Sequence, residues 1–413
     1  MGKGATTSGI LNNYVIAAAV SAAAVGTVLA AFAAMPARAQ SGQPITVGVI
    51  TELSGPYSFF GTACRQGVEF AEKKIAAEGG VLGRPLNFKI VDDQTNPAQA
   101  VAAARSLDVQ DNVLAVTGPT SSDIALAVYG YAEQNKVPFV VPVAAFAQLT
   151  KPGTHYTFRV EPDAVGWGYA AAKFIAAQKP GAKLALMYND IALARAIVAG
   201  IKYQAPKENI SIVSDILFPQ GSNDATVQAA QVVAAKPDYV YLATVGAFDV
   251  TATNQLLDLG IKPEQIIHNV GTTSTLLGYG ARSIGSIYGS FFDANLDNVT
   301  AEGHQFVDEY TQAVGRIPSY VENFCYNTPY IVKAAIEKAG SADREKFRDA
   351  MSALNMVEPT SGVPISFDKN GARKEYMYYM QLTGVAPPKS YTAKKLFYIE
   401  WAPETLPVYD LVK

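Results

Sequence analysis

The feature that most constrains this chain is a repeated unit beginning at Ile45: a short β-branched apolar stretch, a turn, then a helix-forming stretch. I-T-V-G-V-I leads through the loop T-E-L-S-G-P-Y-S-F-F-G to a helix predicted over 64–78, with Val68, Ala71 and Ile75 on one face. Gly79-Gly80 stops that helix. The strand N-F-K-I-V-D-D follows, then a helix over 97–110 with Asn96 as N-cap and Pro97 at its first position. V-L-A-V and P-F-V-V-P-V carry the series to a close near residue 143. Y-T-F-R-V-E-P-D, residues 156–163, breaks the rhythm. A second series, with helices predicted over 164–178, 191–205, 224–235 and 249–259 and strands between them, runs to about residue 288. Strands alternating with helices of this length dictate right-handed crossovers and parallel sheets covered on both faces. Two such series mean two doubly wound α/β lobes.

After residue 288 the order changes. Helical patterns over 301–314, 323–339 and 343–354 come with little strand between them, and the last fifty or so residues are β-rich. A helical block belonging to neither series needs a sheet to cover. It is expected to return to the first lobe, with the β-rich tail returning to the second. The expected division is 44–160 with 290–360, and 161–289 with 361–413. Several crossings then join the lobes, which is the wiring of a hinge. The chain's 413 residues exceed one ordinary core, in keeping with two domains.

Residues 1–39 read as a separate object, an export signal. Lys3 precedes an Ala-rich apolar run from Val15 to Ala34, and Ala37-Arg38-Ala39 matches a signal-peptidase site before Gln40. The run is also long enough for a retained anchor, but its alanine content and small cleavage-site residues favour removal and an exported mature protein. Cleavage takes Lys3 and Arg38 and no acids, moving the net charge from −3 to −5. The lack of a basic cluster among aromatics argues against nucleic acid and anionic membrane as partners. Cys64 and Cys325 would enter an oxidising compartment. A disulfide and two buried thiols are both open.

No catalytic constellation can be assembled. His155, His268 and His304 stand alone, without metal-ligand spacing, and no phosphate-binding glycine loop or nucleophile elbow occurs. Asp92-Asp93 reads either as a carboxylate pair or, preferably, as a hydrogen-bonded turn before Asn96. No enzyme activity, metal or cofactor is therefore expected.

A binding cleft is the remaining reading, because open α/β sheets take ligands at the carboxyl ends of their strands. The most informative strand end is A-V-T-G-P-T-S-S-D-I-A, residues 115–125, where a turn and three hydroxyls open a helix. Unpaired first-turn N–H groups and the helix dipole make such a place an anion site. The simpler reading is capping by Thr120, Ser121 or Ser122. Tyr57, Phe59, Phe60, Phe146 and Phe248 lie in the strand-end loops as candidate walls.

These pieces resemble the periplasmic leucine/isoleucine/valine-binding proteins, substrate receptors of ABC importers. The likeness is carried by L-S-G-P-Y, I-A-A-E-G-G-V-L-G-R-P-L, V-D-D-Q-T-N-P-A-Q-A, V-T-G-P-T-S-S, V-P-F-V-V-P-V-A-A-F-A-Q-L-T and H-Y-T-F-R-V-E-P-D, in that order. It covers essentially all of the chain after the signal. The resemblance implies a monomeric two-lobed type I binding protein with three hinge crossings, delivering a small ligand to an inner-membrane ABC permease. It also implies a ligand carboxylate held by Ser122, with Ser121 adjacent. The backbone at Val143, Ala144 and Ala145 assists, and Phe60 forms an aromatic wall. The second lobe departs from the pattern. Val270 stands near the position of the glutamate that takes an amino acid's ammonium, and Leu193 and Ala194 replace the usual Tyr-Gly. An ammonium closed in without its carboxylate would cost ~3–5 kcal/mol. A small carboxylate with an aromatic or branched apolar tail is thus expected over a free amino acid, unless Asp249 or Glu264 supplies the missing charge. A branched-chain amino-acid receptor and a ligand sensor for a signalling partner are the competing readings.

Overall fold

The computed structural model describes residue 1, residues 42–219 and residues 221–412; the expected export signal lies outside the described residues apart from Met1. β1 (Ile45–Thr51), β2 (Leu86–Asp92), β3 (Ala115–Thr117), β4 (Phe139–Val141) and β5 (Thr157–Arg159) form a wholly parallel sheet of order β2-β1-β3-β4-β5. β1 is buried along nearly its whole length without alternation, as a parallel strand covered on both faces must be. The crossovers are α1 (Ser58–Ala77), α2 (Pro97–Val109) and α3 (Ser122–Asn135). Asn96 caps α2, its side chain accepting from the N–H groups of Ala98 at 2.9 Å and Gln99 at 3.2 Å. The predicted face of α1, Val68, Ala71 and Ile75, is buried.

Two local readings are corrected. α1 begins at Ser58, so S-F-F-G, read as loop, forms its first turn. Gly61 permits this, because a Cβ there would lie 2.0 Å from the Glu52 carbonyl oxygen. The first series closes at β5 rather than near residue 143, Thr157 pairing with Phe139. A three-residue strand among polar neighbours leaves no apolar run to read.

The second lobe runs α4 (Ala164–Gln178), β6 (Lys183–Asn189), α5 (Ala192–Gln204), β7 (Ser211–Phe218), α6 (Thr226–Ala234), β8 (Tyr239–Ala243), α7 (Gly246–Asp258), β9 (Ile266–His268), α8 (Thr273–Tyr279) and β10 (Ile287–Ser290). β6 to β10 are parallel. After them come α9 (Ala301–Val314), α10 (Tyr320–Ala339) and α11 (Arg344–Ser352), and a small antiparallel pair, β11 (Asn355–Val357) with β12 (Pro364–Ser366). β13 (Glu375–Ala386) and β14 (Ser390–Trp401) then extend the second sheet antiparallel, giving the order β14-β13-β10-β9-β8-β6-β7.

α10 packs along α1 in the first lobe, and Cys64 is disulfide-bonded to Cys325 across that contact. Gly67 allows the close approach, since a Cβ there would meet the Glu322 carbonyl oxygen at 2.4 Å. The chain therefore passes between lobes three times: after β5, after β10 and before β13. The first and third crossings are tied by buried charge. Arg159 donates to Glu375 at 2.9 Å, and the Asp163 N–H to the other Glu375 oxygen at 2.8 Å. Arg373 donates to Glu358 at 2.7 Å and to the Val160 carbonyl at 3.2 Å. Among the described residues no helix is long and apolar enough to cross a membrane.

Candidate ligand site between the lobes

The two lobes enclose a cavity of about 500 Å³ of atom-free space, its mouth included. From the first lobe it is lined by Tyr57, Phe60, Thr120, Ser121, Ser122, Asp123 and Val143. The second lobe contributes Trp167 from α4 with Ile191, Leu193 and Val245, the first crossing contributes Glu161, and the start of α10 contributes Tyr320. The mouth opens into a wider groove that shares Tyr57, Ser121, Asp123 and Ile191 and reaches Phe146, Arg195 and Val412. The lobes touch beside it. The Asp123 carboxylate accepts from the Ala192 N–H at the start of α5, and a Cβ at Gly246 would lie 3.2 Å from the Phe59 ring. Gly246 has φ +64°, a left-handed conformation that glycine adopts without strain.

The start of α3 is built by a turn that only glycine can make. Gly118 has φ +79°, and a Cβ there would lie 1.9 Å from the Ile50 carbonyl oxygen. It precedes the cis Pro119. Ser121 is the N-cap by position, yet its hydroxyl makes no capping bond. Thr120 is not a cap either. The fully buried Glu52 takes the Thr120 hydroxyl at 2.7 Å, the Thr120 N–H at 3.2 Å and the Ser121 N–H at 2.8 Å. A carboxylate of the protein thus occupies part of the helix terminus that the sequence suggests for an anion.

What Glu52 leaves is the inner half. Among the described residues, the hydroxyls of Ser121 and Ser122 bond to no protein acceptor. Nor do the N–H groups of Val143, Ala144 and Ala145, all three of which are buried. The loop bearing them is held by the Ala164 N–H, which donates to the Ala145 carbonyl at 2.7 Å. Unpaired donors at a helix start and on the next strand-end loop suit a small anion.

The structure brings Phe60, Ser121, Ser122, Val143 and Leu193 to one cavity. The side chains of Ala144 and Ala145 lie behind its wall, in the core. Val270 is buried in the second lobe's core, its N–H turned to its neighbour Asn269 at 2.7 Å, and it does not line the cavity. Neither rescue residue reaches the cavity. Asp249 accepts from Thr244 at 2.5 Å and from Tyr279, while Glu264 is exposed beside Gly285. Phe248 packs on Phe218 at 4.9 Å rather than on a ligand wall, and Phe146 faces the outer groove. Asp92 and Asp93 form the turn reading: Asp92 accepts from the N–H groups of Leu53, Ser54 and Gln94, and Asp93 from that of Thr95.

Sequence reasoning missed Glu161, Trp167 and Tyr320 as cavity residues. The only signal for Glu161 was an acid inside Y-T-F-R-V-E-P-D, a segment otherwise fully buried from Tyr156 onward. Both Glu161 carboxylate oxygens are buried without a hydrogen-bond partner. Burial raises its carboxyl well above the ordinary carboxylate range, and the charge of Arg159 only partly opposes this. Trp167 commits its indole N–H to the Pro162 carbonyl at 3.0 Å, leaving its ring as wall.

The family model for periplasmic binding proteins matches residues 44–386. The chain belongs to the periplasmic binding protein family. It is 26% identical over 327 residues to the Leu/Ile/Val-binding protein BraC3 of Rhizobium johnstonii, covering 79% of this chain and 86% of that protein. An ABC-transporter solute-binding protein of R. palustris in complex with benzoate superposes with a TM-score of 0.77 at 20% identity, covering 87% of this chain and 98% of that one. The branched-chain amino acid transporter substrate-binding protein LivJ of Streptococcus pneumoniae, in complex with isoleucine, gives 0.74 at 22%, covering 87% and 100%. At these identities the superpositions establish the type I fold.

Proposed function

We propose that this periplasmic binding protein is the extracytoplasmic receptor of an ABC importer that closes its lobes on a small carboxylate, an aromatic or branched-chain acid in preference to a free amino acid. One observation carries the reading: unpaired donors of Ser121, Ser122 and Val143 sit at a cavity whose other walls are mostly aromatic and aliphatic. The carboxylate lies at the Ser122 end. Tyr57, Phe60, Ile191, Leu193 and Val245 receive the tail. With Val270 removed from the cavity, the apolar far wall rests on Ile191, Leu193 and Val245.

Each hydrogen bond to a charged acceptor contributes ~1.5–3 kcal/mol. Ser122→Ala is therefore expected to weaken carboxylate binding roughly ten- to a hundred-fold in isothermal titration. The melting temperature of the ligand-free protein should hold, because that hydroxyl supports nothing in the fold. In a thermal-shift screen of the mature protein, benzoate and 4-methylpentanoate should stabilise more than leucine or valine. A large shift with leucine and none with its deaminated analogues would refute the ligand preference, and unchanged affinity in Ser122→Ala would refute the anchor.

A further inference from the structure

The cavity holds a carboxyl group that neither the fold nor the anchor uses. Glu161 is fully buried on the first crossing, it lines the cavity, and neither carboxylate oxygen has a partner. Its backbone is pinned on both sides. Its carbonyl accepts from Arg159, the Pro162 carbonyl accepts from Trp167, and the Asp163 N–H donates to Glu375. A carboxyl group held in this way and left unsatisfied is costly to the fold. Something that enters the cavity is its natural complement.

The surrounding charges decide in which form it is met. Arg159, on the same segment, is committed to Glu375 and to the Glu161 carbonyl. Arg373, from the third crossing, is committed to Glu358 and to two carbonyls. From α10 the cavity receives Tyr320, from the start of α3 Asp123 and two serines, and from α1 Tyr57 and Phe60; α5 and the loop after β8 present only aliphatic groups. No Lys, Arg or His side chain lines it among the described residues. A ligand carboxylate adds negative charge to a space that already faces Glu161 and Asp123. Arg159 offsets only part of the cost of ionising Glu161, and no further cation lines the cavity, so the bound state beside a ligand carboxylate holds Glu161 protonated.

Resting on the reading of the ligand as a small carboxylate, we propose that Glu161 is a ligand-contacting specificity residue. As a neutral carboxyl group it pairs with an uncharged oxygen of the ligand. The preferred ligand class is then hydroxy- or keto-substituted carboxylic acids rather than plain hydrocarbon acids or amino acids. Binding takes up a proton wherever the free protein has Glu161 ionised. Affinity falls with rising pH there, approaching tenfold per pH unit.

The test is isothermal titration of the mature protein with 4-methylpentanoate, its 2-hydroxy and 2-keto derivatives, leucine, benzoate and 4-hydroxybenzoate, from pH 5.5 to pH 9. Wild type, Glu161→Gln, Glu161→Leu and Ser122→Ala are compared, with melting curves confirming that each variant folds. In the wild type an oxygen-bearing acid should bind at least ten-fold tighter than its parent acid, weakening as pH rises. Glu161→Gln should keep that preference within a few-fold and lose the pH dependence, and Glu161→Leu should lose the preference. Leucine binding tightest, with affinity rising with pH and lost in Glu161→Gln, overturns the proposal in favour of an ionised Glu161 paired with an ammonium. Acids bound through Ser122 with the same preferences in Glu161→Leu overturn it while leaving the carboxylate reading intact. No carboxylate bound by the wild type at any pH overturns both.

Discussion

At the scale of single residues, the start of α3 shows how one buried acid redirects a local signal. G-P-T-S-S reads as either a cap or an anion site, and Glu52 from the end of β1 divides it between the two. The outer donors serve Glu52, while the hydroxyls of Ser121 and Ser122 face the cavity unpaired. Next to Glu52 lies a second buried acid, Asp93, one of whose oxygens has no partner. Burial first, and the charge of Glu52 second, push its carboxyl up to about 7. The folded protein therefore keeps a proton between about pH 4 and 7 that the unfolded chain has released. Stability contributed at this site falls as pH rises through that window and stays low above it. Asp93→Asn should accordingly gain melting temperature relative to wild type at pH 8 and gain little or none at pH 4. A gain independent of pH would show that the shift is not the cause.

At the scale of elements, the crossings matter more than the helices they join. Y-T-F-R-V-E-P-D carries β5, the Arg159–Glu375 pair, the unpaired Glu161 and the cap of α4, where Asp163 accepts from the Gly166 N–H at 2.9 Å. Glu375, on β13, ties this first crossing to the third. Burial, then the neighbouring Asp163, raise its carboxyl well above the ordinary range, while Arg159 opposes them. Glu375→Ala leaves a fully buried guanidinium short of its partner, a change that costs ~3–5 kcal/mol. Denaturant unfolding should show that loss, and the ligand-free variant should also give a larger radius of gyration in solution scattering. A variant as stable as wild type would mean that Asp163 alone suffices for Arg159.

For the whole molecule, the long-range closures set the lobes. The helical block α9 to α11 returns across the chain to α1, and Cys64–Cys325 fastens it over a separation of 261 residues. Cross-linking a loop that long restricts the unfolded chain strongly. The double variant Cys64→Ala/Cys325→Ala should lose ~2–5 kcal/mol in denaturant unfolding while keeping ligand affinity within a few-fold, because neither cysteine lines the cavity. Loss of affinity without loss of stability would place the link in the binding cycle instead.

Two doubly wound lobes, the helix start at Asn96 and the strand-end stretch that holds Ser121 and Ser122 are all legible in the amino-acid order. Each of these rests on periodicity or on bonds within a few residues. The three-residue β5 escaped because it is too short to make a pattern, and the start of α1 because Gly61 works only against Glu52, nine residues away. It takes the folded chain to show that the cysteines pair, that Val270 belongs to the core, and that Glu161, Trp167 and Tyr320 meet at the cavity. Those outcomes depend on which segments the three crossings bring together, and burial of a charge without a partner is a property of the surroundings, not of the residue.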